Sequence, residues 1–363
     1  GMALNVVAAA EYFIPAQTQV AFYLRIAFSI IWIIALNYMA YRSIDAGATM
    51  LVAFGSFTLI VVALMIIPSF IDFNALLSGA FASPFNTSLL HPFARFDGAG
   101  GIGGGLFSHM LLSLLFITEA FFGFEAVTYM ANEAKEPKRL HKILFKAVAI
   151  CAIIVVLYIF STLGTVAYSD YVTDARPFAV QALNTMGLMG QNIVVFGMYL
   201  VIIGATAAWP IAGSRLLQAM ARDKLHLKHF AKPHPKHNSP YRAVYFQTII
   251  IFFFTWFIFR GYVVKWGDPY RITYLLYVIL SLIALSIILF AVPMLRKKEP
   301  TVVRSFSAPL PLLGPIIIVS FFILLIVNWV MIEGAFARAI LGFVASFVFL
   351  GIPLFFMVEM YYN

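Results

Sequence analysis

Residues 117–127 read "ITEAFFGFEAV". Two carboxylates, Glu119 and Glu125, and one glycine, Gly123, interrupt a run of aromatic and aliphatic residues. The surrounding sequence, about 105–132, is apolar for longer than the roughly 20 residues a membrane helix needs. Hydrocarbon is a poor solvent for acids, and glycine inside a helix costs about 1 kcal/mol relative to alanine. Unwound backbone at membrane depth is tolerated only where it lines a cavity or packs against protein. The stretch therefore predicts a membrane helix broken at its middle, with the break turned toward the protein interior.

Composition places that helix in a membrane. Of 363 residues, 63% are hydrophobic and 11% charged, and the mean hydropathy is +0.95. Soluble domains are about 45–50% apolar and about 25% charged. One water-soluble core cannot hide this much apolar surface. The single cysteine, Cys151, excludes an intrachain disulfide framework and cysteine-based zinc spacing. Phosphate-loop, dinucleotide-binding, zinc-protease and nucleophile-elbow motifs are absent, so neither a metal nor a cofactor is expected. The "GAGGIGGG" run at 98–105 lacks a following lysine and reads as a flexible entry to the next span.

Apolar stretches predict about ten spans: a partial one at about 1–15, then about 19–41, 47–70, 105–132, 143–168, 190–219, 242–260, 271–295, 310–332 and 335–359. The connection 71–104 reads as a surface segment, and 169–189 as a short interfacial helix. "GMALNVVAAAEYFIPA" opens inside apolar sequence without the basic start of a signal peptide, which predicts a chain truncated upstream. Alternate loops hold 17 of the 24 Lys and Arg residues. The positive-inside rule puts those loops, and the C-terminus, in the cytoplasm, and they account for the net charge of +9. Because the basic residues alternate with spans instead of forming one patch, nucleic acid is not an expected partner.

Broken helices form midplane substrate sites in secondary transporters, and ionisable residues at that depth are functional candidates. At this point a family resemblance is visible. "FFGFEAVTYMANEAKEPKRLHKIL", residues 121–144, resembles the sixth helix and following loop of amino acid permeases of the amino acid–polyamine–organocation superfamily. Ala120, Phe121, Gly123, Phe124 and Glu125 match, as do Glu133, Lys135, Pro137, Lys138 and Arg139. "GSRLLQAMARDKLHLKHFAKPHPKHNSPYRAV", residues 213–244, resembles the end of the eighth helix and its loop. "RKKEPTVVRSFSAPLPLLGP", residues 296–315, resembles the link between the tenth and eleventh helices. The resemblance implies an all-α integral membrane fold of the leucine-transporter type, an inverted-repeat bundle. Family helices three to twelve would be present and the first two missing. Residues 1–363 would be one transporter domain, with 1–295 the remainder of the core and 296–363 two additional C-terminal helices.

The resemblance also implies site residues. In similar permeases the substrate amine is held by backbone carbonyls at the sixth-helix break; those positions fall at Glu119, Phe122 and Glu125, within a segment that includes Ala120, Phe121 and Gly123. Glu119 departs from the family, which usually has an aromatic or apolar residue there; it could take a cationic side chain or carry a proton. Trp209, in "ATAAWPIAG", matches a tryptophan that some relatives set against the substrate, and Pro210 predicts a kink beside it. Thr58 aligns with a lysine of proton-coupled relatives and cannot supply its charge. Thr58 and Thr206 become hydroxyl candidates for a coupling ion, although helical Thr more often bonds its own backbone. Glu11, Tyr12, Tyr274 and Tyr277 are candidates to line the cavity. Lys138, Arg139, Arg222 and Asp223 read as cytoplasmic gate or loop-anchoring charges.

The function expected is secondary transport of amino acids across the plasma membrane by alternating access, with a proton or sodium ion as candidate partner and lipid as solvent. A polyamine or other organic-cation carrier, suggested by Glu119, and a non-transporting substrate sensor are the alternatives. A membrane-embedded enzyme would need a nucleophile–base or metal set at membrane depth, and no such set is seen.

Overall fold

The computed structural model describes residues 1–42, 44–71, 105–124, 126–129, 136, 139–166, 176–265, 267–302 and 310–362. Every regular element among them is a helix: α1 (Met2–Phe13), α2 (Gln19–Arg42), α3 (Ile44–Ile66), α4 (Gly105–Ile117), α5 (Ala126–Tyr129), α6 (Leu140–Thr165), α7 (Pro177–Thr206), α8 (Ala208–Arg222), α9 (Tyr241–Val264), α10 (Pro269–Lys298) and α11 (Leu313–Tyr362). Among the described residues, seven helical stretches are long and apolar enough to cross a bilayer, and Met2–Phe13 and Phe107–Ala120 are shorter apolar helices. Of the segment expected at 71–104 only Ile71 is described, whereas 176–189 of the other is described and is helical from Pro177 up to the kink at Gly187.

Helix α1 is the centre of the bundle. Met2, Val6 and Ala9 pack with Ile33 and Leu36 of α2 and Tyr199 and Ile203 of α7. Leu4 and Val7, on another face, pack with Ile258 and Phe259 of α9. A helix apolar all round is either buried or lipid-facing; here small residues, Ala9 and Ala10, let neighbours close in from several sides.

Helix α6 is equally apolar and takes the opposite place. Its buried residues are Ser161 and Thr162, while Val156 is 66% exposed. Hydroxyls turn inward and hydrocarbon outward, as expected when the surrounding solvent is lipid. The Gln181 amide nitrogen of α7 donates to Ser161 Oγ at 2.6 Å and to the Met65 carbonyl at 3.2 Å. Thr162 donates to Gln181 Oε1 at 3.0 Å, and Ser161 to Ser69 at 2.8 Å. Three helices are thus tied by one satisfied polar cluster. Gln181→Ala is expected to cost about 2 kcal/mol, read as a lower melting temperature in detergent; an unchanged melting curve would show that the cluster contributes nothing to the fold.

The long connections bend at identifiable residues. Gly187 interrupts α7 with φ 71°. Helix α11 runs for 50 residues, more than twice one bilayer crossing, and breaks at Gly334, where φ is 52° and ψ −111°. Its first half docks on α4 and α10. Ser108 donates to Asn328 Oδ1, and Asn328 Nδ2 returns a bond to the Ser108 carbonyl, both at 2.9 Å. Near the break Glu333 accepts from Trp329 Nε1 at 2.8 Å and pairs with Arg271 at the start of α10.

Candidate functional site

The break expected at Gly123 is present, and its local causes can be followed residue by residue. Helix α4 ends at Ile117, and Thr118–Phe121 tighten into a single 3₁₀ turn. The Phe122 amide donates to the Glu119 carbonyl at 2.9 Å, and Phe122 itself is extended, with φ −77° and ψ 138°. Gly123 then takes φ +112°, a conformation that L side chains rarely adopt. The Ala126 amide donates to the Gly123 carbonyl at 3.0 Å, where helix resumes. A Cβ built on Gly123 would meet Trp209 at 3.9 Å, an ordinary contact. Backbone conformation, not lack of space, is therefore what requires glycine. Among the described residues no backbone amide donates to the Phe122 carbonyl.

Three aromatic groups enclose this turn. Phe122 and Tyr277 meet edge-on at 5.6 Å, and Tyr277 meets Trp209 edge-on at 6.5 Å. The Tyr274 hydroxyl donates to the Phe116 carbonyl at 2.5 Å, tying α10 to the broken end of α4. The Glu119 carboxyl is half-buried and interacts with the Tyr274 hydroxyl. Phe122 packs onto the core formed by α4, α10 and α11, Trp209 onto the core formed by α1, α2 and α7, and Tyr277 onto both the first of these and a core of α1 and α9. The break thus sits on the seam between two packed bodies.

Trp209 reaches the seam because α7 and α8 are separate helices. Pro210 has no amide hydrogen to give the Thr206 carbonyl, and the chain turns at Ala207. The kink expected at Pro210 is thus found three residues earlier. The Pro210 carbonyl accepts from Gln247 Nε2 of α9 at 2.7 Å, which anchors the turn.

The other candidates are dispersed. Thr58 donates to the Phe54 carbonyl at 2.8 Å and Thr206 to the Ile203 carbonyl at 2.6 Å, each within its own helix. Ala120 is exposed and Phe121 closes the 3₁₀ turn. Arg139 pairs with Glu136 at 2.9 Å with both side chains mostly exposed; such pairs contribute about 0–1 kcal/mol. Arg222 and Asp223 are exposed at the end of α8. Glu125 and Lys138 lie outside the described residues. Tyr270 and Tyr262 were not anticipated. Tyr270 precedes Tyr274 and Tyr277 at i, i+4, i+7 spacing, a helical face readable in the sequence, and it interacts electrostatically with both Glu119 and Glu11.

A bundle of apolar helices with one of them unwound at an aromatic seam defines a multi-pass helical membrane protein. The chain matches the amino acid permease family over residues 1–356 and belongs to that family. It is 29% identical over 253 residues to the branched-chain amino acid permease BcaP of Bacillus subtilis, a match covering 68% of this chain and 50% of that protein. It is also 29% identical over 213 residues to the methylthioribose transporter of the same organism, covering 57% and 43%. The arginine/ornithine antiporter ArcD1 of Lactococcus lactis is 25% identical over 211 residues, covering 57% and 39%. The chain spans about half the length of the curated relatives it matches.

Proposed function

We propose that the protein is a secondary transporter of amino acids working by alternating access, with the substrate amine held at the broken helix near 119–125. The observation that carries this reading is the turn at Gly123, which breaks the helix beside Trp209 and Tyr277 on the seam between two packed bodies. An amine satisfies carbonyls that the helix has released. The apolar faces of Trp209 and Phe122 suit an aliphatic side chain, in keeping with the name of the branched-chain relative. Rocking of one body against the other would open the seam to either side. We read ten crossings, α11 supplying two of them around Gly334. In this reading 1–295 is the transport core, 296–363 the added pair of helices, and the C-terminus lies in the cytoplasm of a plasma-membrane protein. Thr58, Thr206 and Glu119 remain the candidates for a coupling ion. Arg139, Arg222, Asp223 and Lys138 remain the candidates for cytoplasmic gating.

A second reading, an organic-cation carrier, is favoured by Glu119, a carboxylate beside the break where an ammonium or guanidinium could pair with it. Uptake of radiolabelled L-leucine, L-arginine and putrescine into proteoliposomes holding the full-length protein tests both. Saturable L-leucine flux is expected. No saturable flux of any amino acid or amine would sink the transport reading, and putrescine alone would favour the second.

A further inference from the structure

A cavity of about 980 Å³ opens between the end of α1, the start of α2 and the facing ends of α9 and α10. Among the described residues its wall shares none with the break at 117–129 or with Trp209. Glu11, Arg25, Phe22, Tyr23, Tyr262 and Tyr270 line it. The two charges are held differently. Arg25 is buried, and its Nε and Nη2 donate to the Ile14 and Ala16 carbonyls, both at 2.9 Å, closing the end of α1. Its Nη1 is 3.8 Å from Glu11 Oε1, a long contact, and about a third of the Glu11 side chain is open to the cavity. Asp268 acts electrostatically on the same place. Glu11 is thus a partly open carboxylate held by Arg25 and Tyr262, and a carboxylate among aromatic faces is the chemistry that binds an ammonium ion.

We propose that this cavity is a second, vestibular binding site for a primary ammonium compound. Glu11 is its anion, Phe22, Tyr23, Tyr262 and Tyr270 form its aromatic wall, and Arg25 Nη1 meets a carboxylate where the ligand is an amino acid. Tyr270 leads from this cavity along one face of α10 to Tyr274 and Tyr277 at the break, so a ligand released inward passes from one site to the other. That the ligand is the transported amino acid rests on the transport reading; that the cavity binds ammonium does not.

Labelling tests the site without transport. Gln17, exposed on the cavity wall, is replaced in a Cys151→Ser background (Gln17→Cys), and the rate of reaction with a methanethiosulfonate reagent is measured on the purified full-length protein. L-Leucine and n-butylamine are each expected to slow labelling. The slowing should survive Gly123→Val, and the half-protecting concentration should rise roughly tenfold with Glu11→Gln, but not with Glu11→Asp. Tyr270→Leu, remote from Arg25's backbone bonds, should raise it several-fold if Glu11→Gln does not fold. Absence of slowing in monodisperse protein would overturn the proposal. So would slowing that Glu11→Gln leaves unchanged, or that Gly123→Val removes. Protection without uptake in proteoliposomes would remove the transport reading and leave the vestibular site standing.

Discussion

Gly123→Val lowers uptake roughly tenfold or more and leaves the bundle folded: that is the result expected from the turn at residues 122–123. At φ +112° a β-branched residue meets its own backbone, a conformation costing about 1–3 kcal/mol. The nearest outside atom would be 3.9 Å from the new Cβ, so the burden falls on the break itself and not on the packing around it. Helix is the alternative open to the segment, and helix withdraws the Phe122 carbonyl. A penalty of this size lowers the population of the open turn roughly 10- to 100-fold. The matched control is Gly342→Ala in α11, where a Cβ meets nothing within 4 Å; uptake and melting temperature should both hold. Wild-type flux through Gly123→Val, measured in proteoliposomes, would show that the substrate is held elsewhere.

Glu119→Gln is the second large effect. The carboxyl lies one turn from the extended Phe122 and interacts with Tyr274. A cationic side chain placed there gains a charge-assisted bond worth about 1.5–3 kcal/mol, whereas an aliphatic one gains nothing from the charge. The substitution is expected to lower L-arginine uptake by roughly tenfold or more while leaving L-leucine within about twofold. An unchanged arginine-to-leucine ratio would reduce Glu119 to a partner of the tyrosine hydroxyl.

The helices were legible because each crossing needs a long apolar run, and the break because glycine and two acids do not belong in one. Position within the bundle was not legible. Hydropathy treats lipid and protein interior alike, so α1, buried on several sides, and α6, facing outward, read as the same kind of helix. What separates them is side-chain size: Ala9 and Ala10 allow close approach, while Ile153 and Val156 present bulk to lipid. Trp209 could be nominated from its match to a tryptophan of similar permeases, yet its meeting with Tyr277 depends on how α8 and α10 are placed, which neither segment encodes alone. The vestibule is harder still, since Glu11 and Tyr262 lie far apart in the chain and meet at an aromatic wall drawn from three helices. Thr58 illustrates the converse: its hydroxyl is taken up by the Phe54 carbonyl, the local alternative that any helical threonine carries with it.

Helix α6 has one more consequence. Its fully buried residues are Ser161 and Thr162, and Tyr158 and Phe160 add partly buried aromatic contacts, to Phe178 and Phe70. Water competes for hydroxyl and amide groups in a way hydrocarbon cannot. The fastening is therefore a property of the surroundings as much as of the protein. Where a thin or hydrated detergent shell replaces lipid, α6 is the segment that comes away first, and its backbone amides should exchange with deuterium before those of α1.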